Sequence, residues 1–187
     1  MAGHVASYQA RLERNRIGLW LYIISDSFVF IGLFVARFVL LPEHRPELSQ
    51  TLGLVVTTML LLSSFFMNRA EVEMSHGNRT GFMRAIMVTI VLGTIFLLGV
   101  VAVEWQIAPF GPSDGAEGAI FYAMTGFHAF HVLTGVAFLI IVWNNARRGH
   151  YSAEEHWAVE AAAVYWHFVD VVWIFFYPAL YLIGTPL

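Results

Sequence analysis

The sequence contains no cysteine. That excludes disulfides, thiolate-ligated copper, iron–sulfur clusters and cysteine-type haem attachment, and leaves histidine and carboxylates as the metal ligands to consider. Lysine is also absent: all 10 basic residues among the 187 are arginine. Charge of either sign is scarce. Charged residues make up 12% of the chain, whereas a soluble domain averages about 25%. The net charge of -3 is too small to point to nucleic acid or to any strongly charged partner. Linkers, repeats and low-complexity tracts are missing, so residues 1–187 read as a single domain. A cleaved signal peptide is not indicated either. The first sixteen residues are polar and basic, and the apolar run behind them exceeds the roughly 7–15 residues of a signal core. We expect residues 1–16 to be a retained cytoplasmic segment.

What the chain has in abundance is apolar length. It is 58% hydrophobic and 16% aromatic, with a mean hydropathy of +0.67. Five stretches, about residues 17–41, 50–71, 83–104, 120–143 and 158–183, approach or exceed the roughly 20 residues that a helix needs to cross a bilayer. A closed barrel would also satisfy the backbone in lipid, but the runs lack period-two alternation and are too long for strands. The expected fold is an all-α integral membrane protein, a bundle of five transmembrane helices. The segments between them are short and carry Pro, Gly and acids, as turns do. Eight arginines (Arg11, Arg14, Arg16, Arg69, Arg79, Arg84, Arg147 and Arg148) fall on the side of the N-terminus, and only Arg37 and Arg45 on the other. Positive residues stay inside, so the N-terminus is expected to be cytoplasmic and the C-terminus to face out.

Ionisable residues at membrane depth cost about 2.5 kcal/mol or more at the centre of a span. The fifth run carries three: Glu160, His167 and Asp170. At about 1.5 Å per residue, Asp26, His128, His131, His167 and Asp170 all come near the midplane. His128 and His131 are three apart, as are His167 and Asp170, so each pair covers one helix face. A polar seam between the first, fourth and fifth helices is expected. Three readings of it compete. The groups pin helices together by hydrogen bonds, with lipid held as a variant of this; or the midplane histidines hold a copper ion or a haem b, the haem between His131 and His167 on facing helices; or Asp26, His167 and Asp170 form a proton or ion path. The crowding of His167 by Tyr165, Trp166, Phe168 and Trp173 argues against a porphyrin. Lesser signals accompany the seam. Gly32, Gly93, Gly99, Gly126 and Gly135 read as close helix contacts. Trp105, Trp143 and Trp157 read as interfacial anchors. Arg37 reads as snorkelling to the surface.

Two long motifs carry a resemblance. The run Thr125-Gly126-Phe127-His128-Ala129-Phe130-His131-Val132, with Gly135 following, resembles the TGFHxxHVxxG motif of subunit III of haem–copper oxidases. Residues 160–173, EAAAVYWHFVDVVW, resemble that family's EAAxxYWHFVDxVW motif. Glu104-Trp105 is similar to its EW ending, and Gly18-Leu19-Trp20 through Ser25-Asp26 to its GxWxxxxSE segment. Two departures stand out. Asp26 occupies the place of the usual Glu, a replacement that quinol-oxidase members and short bacterial relatives can carry. The chain shows five helices where the mitochondrial form has seven, so the V-shaped lipid cleft framed by the two extra helices is not expected within it.

The resemblance implies a non-catalytic subunit of a cytochrome c or quinol oxidase in a bacterial cytoplasmic membrane. Haem and copper would lie on partner subunits and none on this chain. The main partner would be subunit I, with subunit II and possible small subunits beside it, and structural phospholipid bound between helices. It implies support of proton uptake and protection of the core during turnover. Asp26, His128, His131, Glu160, His167 and Asp170 would form the interior polar network, and Arg147, Arg148 and His150 would meet lipid head-groups. Subunit I itself would need about a dozen helices and a full set of metal ligands, and subunit II a soluble domain; neither is present. The alternatives are a subunit III-like component of nitric oxide reductase, a free-standing haem b membrane anchor, and a small proton-coupled transporter, against which the lack of inverted repeats counts.

Overall fold

The computed structural model describes residues 2–186, with side chains described from Arg11 onward. Met1 and Leu187, which bound the expected single domain, lie outside the described residues, as do the side chains of residues 2–10 in the expected cytoplasmic segment. Five helices are long and apolar enough to cross a membrane. They are α1 (Ala2–Leu40), α2 (Gln50–Ser75), α3 (Arg79–Leu98), α4 (Gly115–Arg147) and α5 (Trp157–Tyr177). Helix α3 continues through a π-helical stretch, Gly99–Glu104, and a last turn, Trp105–Ile107; α5 continues through a second one, Pro178–Leu182. Strands β1 (His44–Arg45) and β2 (Thr185–Pro186) pair in parallel and tie the α1–α2 connection to the C-terminus.

The helices outrun their apolar cores because their flanks favour helix too. Ahead of Ile17, residues 9–14 of α1, QARLER, are all strong helix formers. It ends just before Pro42, which has no amide hydrogen to donate. Ser49 caps α2 by accepting from the Leu52 amide, and Asn78 caps α3 by accepting from the Gly81 amide. The α2–α3 and α4–α5 turns reverse at Gly77 and Gly149, whose φ values of 73° and 81° suit glycine.

Contacts across the bundle fix its ends. Arg16 meets Glu160, and Arg79 meets the Arg147 carbonyl, at one end; Thr185 meets Glu43, and Trp105 meets Thr125, at the other. All eight arginines grouped from the sequence belong to the first end. Helix α5 is central: it packs on α1, α2 and α4, whereas α1 packs chiefly on α4 and α5. Trp166 and Trp173 of α5 are wholly buried. Their indole N–H groups donate to Ser63 and Thr57 of α2, both at 2.9 Å. Gly93 of α3 and Gly135 of α4 leave the space that Trp166 fills, since a Cβ at either would press into its ring. These two glycines serve as the close contacts expected of them; Gly32 faces outward with nothing near it.

Candidate functional site

The polar residues separate into four groups rather than one seam. The first joins α1 to α4 at mid-depth. His131 Nε2 lies 3.0 Å from Asp26 Oδ2. The other ring nitrogen, Nδ1, lies 2.7 Å from the Phe127 carbonyl. A carbonyl only accepts, so Nδ1 carries a hydrogen. Nε2 therefore faces the carboxylate either as a donor or as a bare lone pair, and a lone pair against a carboxylate repels. Asp26 and His131 thus form a close carboxylate–imidazole pair between the two helices. Asp26 Oδ2 has no well-directed hydrogen bond among the described residues. Phe30 covers the imidazole edge-on at 4.8 Å. Beside the pair runs a groove of about 320 Å³ between α1 and α4, lined by Tyr22, Phe130, His131, Thr134 and Tyr165. Thr134 and Tyr165 hydroxyls lie 2.8 Å apart, and 2.9 and 3.2 Å from the His131 carbonyl, so one donates to the other and that one to the carbonyl.

The second group joins α5 to α2. His167 Nδ1 lies 2.8 Å from Ser64 Oγ and 3.9 Å from Asp170 Oδ2. Asp170 is buried, and neither of its oxygens has a hydrogen-bond partner among the described residues. His167 is half-buried. His131 thus turns toward α1 and His167 toward α2, so the haem-ligating pair considered from the sequence is not presented as two facing rings.

The third group closes the arginine-rich end. Arg16 of α1 donates to Glu160 Oε2 at 2.9 Å, and His156 Nε2 stands 3.6 Å from Glu160 Oε1. Glu71 of α2 lies within electrostatic reach of His156, Glu160 and His167. Sequence reading passed over Glu71 because one acid at the end of an apolar run looks like a helix boundary. Its spacing from Ser64, seven residues or two turns on the same face, was the available signal.

The fourth group is buried at the opposite end. Arg37 is 1% exposed. Its Nε and Nη2 donate to the Ala179 and Ile183 carbonyls, both at 2.8 Å, and Nη1 donates to Leu41. The snorkelling expected of Arg37 is thereby corrected. Ala179 in the π-helical stretch after α5, Ile183 just past it and Leu41 at the end of α1 give the guanidinium three carbonyl acceptors inside the protein. Tyr181, from that stretch, donates to Glu104, from the other π-helical stretch. Glu104 is also 1% exposed and its second oxygen has no partner. Trp105, expected as an interfacial anchor, donates to Thr125 and so also pins α3 to α4.

His128 joins none of these groups. It is fully buried between Trp173, at 4.8 Å, and Phe96, at 5.6 Å, with both ring nitrogens unpartnered. Three residues from His131, it lies far enough around α4 to face α3 and α5 instead of α1. Arg147, Arg148 and His150 are exposed at the arginine-rich end, where Arg147 stacks on Trp143 at 4.7 Å. No group of three or more His, Cys, Asp or Glu placed to hold a metal occurs among the described residues.

Comparison with known proteins meets this geometry over almost its whole length. A sequence profile of the family described as cytochrome c oxidase subunit III matches residues 4–185. Proteins named cytochrome c oxidase subunit 3 from Ceratotherium simum and Rhinoceros unicornis are each 38% identical over 183 residues, covering 91% of this chain and 70% of the relative. The protein of that name from Pelea capreolus is 37% identical over 195 residues, covering 97% of this chain and 73% of the relative. Matched over residues 4–185, and 37–38% identical to these relatives over most of its length, this chain belongs to the cytochrome c oxidase subunit III family.

Proposed function

We propose that the chain is the non-catalytic subunit III of a proton-pumping terminal oxidase, which oxidises cytochrome c or a quinol and reduces oxygen. It packs in the membrane against the haem- and copper-bearing subunit I, with subunit II and smaller subunits as further neighbours. The profile match over residues 4–185 carries the reading. Haem and copper belong to the partners, and this chain contributes protons, packing and lipid contacts.

The chemistry of its own residues supports that division. Asp26 and His131 face each other at 3.0 Å beside a groove that opens outward between α1 and α4. Such a pair accepts or releases a proton without changing helix packing. From the arginine-rich end, Glu160, His156, Glu71 and His167 lead toward Asp170 on α5. Carboxylates and imidazoles on one face are the groups that proton relays use at membrane depth. We place the arginine-rich end in the cytoplasm, by the positive-inside bias, and the C-terminus outside. Asp26, where the family usually has Glu, fits a bacterial cytoplasmic membrane. Arg147, Arg148 and His150 then lie level with cytoplasmic lipid head-groups.

Affinity purification of this chain from its native membrane tests the reading. It predicts co-purification of a large subunit whose visible spectrum shows haem. A Soret band from the isolated polypeptide, or a solitary protein with transport activity, contradicts it.

A further inference from the structure

Helix α1 is the least buried of the five apolar helices. Trp20, Leu21, Ile24, Phe28 and Ile31 are exposed, and between Ile17 and Ala36 only Ile23 and Phe30 are buried. Open grooves run along both its sides. One of about 320 Å³ lies against α4, and two of about 370 and 410 Å³ lie against α5. In lipid, apolar surface gains little by leaving acyl chains for another helix, so polar contacts decide where α1 rests. Its outer end is fixed by Arg37 and by the pairing of β1 with β2. Its inner end meets Glu160 through Arg16, at 2.9 Å. His156 stands beside the other Glu160 oxygen, which leaves Oε2 to Arg16.

Between these two ends lies Gly32. A Cβ there would touch nothing, so no neighbour requires a glycine at this position. What the glycine supplies is a point where the helix bends easily. Ser27, five residues inward, returns its hydroxyl to the Ile23 carbonyl at 2.7 Å, a bond that also favours bending. Counted from Gly32 at about 1.5 Å per residue, Asp26 lies about 9 Å along the helix and Arg16 about 24 Å. A swing that carries Arg16 about 5 Å carries Asp26 about 2 Å by the same lever. That takes its 3.0 Å approach to His131 out of hydrogen-bond range.

We propose that α1 is a strap hinged at Gly32, and that the Arg16–Glu160 ion pair positions Asp26 against His131. With the ion pair closed, Asp26 faces the imidazole. With it open, the inner part of α1 leaves α5 and the carboxylate parts from its partner. Arg16 is a positioning residue in this scheme and carries no proton itself. The functional readout rests on the proton role proposed above; the movement does not.

The chain has no cysteine, so pairs of spin labels can be set on introduced thiols in the purified complex, with the complex lacking them as the blank. Labels at Asn15 and Ser75 report the inner end, and labels at Val39 and Ser113 the outer end. Arg16→Gln is expected to add a second, longer inner distance and to leave the outer one unchanged. Arg16→Lys, and the exchanged pair Arg16→Glu with Glu160→Arg, are expected to restore the single inner distance. Gly32→Ala alone, which puts no atom against a neighbour, is expected to narrow the inner distribution. In proton uptake, Arg16→Gln is expected to lose as much rate as Asp26→Asn, and the two together no more. An unchanged inner distance in Arg16→Gln overturns the proposal. So does an equal shift at both ends, which means a displaced helix without a hinge. An inner distribution that Gly32→Ala leaves as broad as before, an exchanged pair that restores nothing, or a further loss of uptake in the double variant also overturns it. Unaltered uptake in Asp26→Asn alone counts instead against the proton role, and the inner distance still decides the strap.

Discussion

Arg37 and Asp26 stand eleven residues apart on one helix, yet their surroundings follow opposite rules. Arg37 is buried with its donors directed at three backbone carbonyls, two of them on the segment that follows α5. Asp26 is partly open, faces one imidazole at 3.0 Å, and leaves that oxygen without a well-directed hydrogen bond. A satisfied buried network fixes structure, because every lost partner strands another polar group. A carboxylate facing a single titratable partner fixes little and keeps a proton movable. The comparison teaches that burial alone does not mark function in this bundle. The Arg37 end of α1 is a lock, and its middle carries an open carboxylate–imidazole pair.

Four substitutions would break or sharpen that contrast, taken from the largest expected effect to the smallest. Arg37→Met strands at least two buried carbonyls, at about 1–3 kcal/mol each. It should sharply reduce the amount of this chain in the assembled complex and lower the temperature at which it dissociates; unchanged assembly would mean the lock is dispensable. Gly135→Val forces Trp166 from its slot between α3 and α4. Overpacking of this kind costs about 1–3 kcal/mol, and should appear as an earlier thermal transition without a change in proton uptake. Ser64→Ala removes the hydroxyl from His167, for about 0.6 kcal/mol by the average of such contacts in membranes. A melting shift at the edge of detection is expected, with any functional change confined to the proton-linked readout. Asp26→Asn should have the least effect on stability of the four, because the fold asks little of this carboxylate. A collapse of assembly comparable with that of Arg37→Met would erase the distinction between the lock and the open pair.

Much of the fold was legible in apolar length. Five runs near 20 residues gave five helices, and arginine placement grouped the same ends that Arg16–Glu160 and Arg79–Arg147 bring together. Helix ends were harder to read. Hydropathy does not register a polar, helix-favouring flank such as residues 9–14 of α1, or a π-helical stretch such as Gly99–Glu104. Of the candidate site, the pairing of Asp26 with His131 lay within reach of depth arithmetic. The separation of His128 from His131 did not, because a three-residue offset spans the boundary between two neighbouring helices. Arg37 was misread for a related reason: its acceptors lie some 140 residues away, on backbone groups that no side-chain pattern announces.

The central claim is that this chain sustains an oxidase it does not itself catalyse. Oxygen consumption and proton uptake followed through many turnovers, in purified complex carrying Asp26→Ala with assembly verified, test it most directly. The account predicts an initial rate close to wild type, with slower proton uptake or a shortened working life. Immediate and complete loss of oxygen reduction in an intact complex would contradict it.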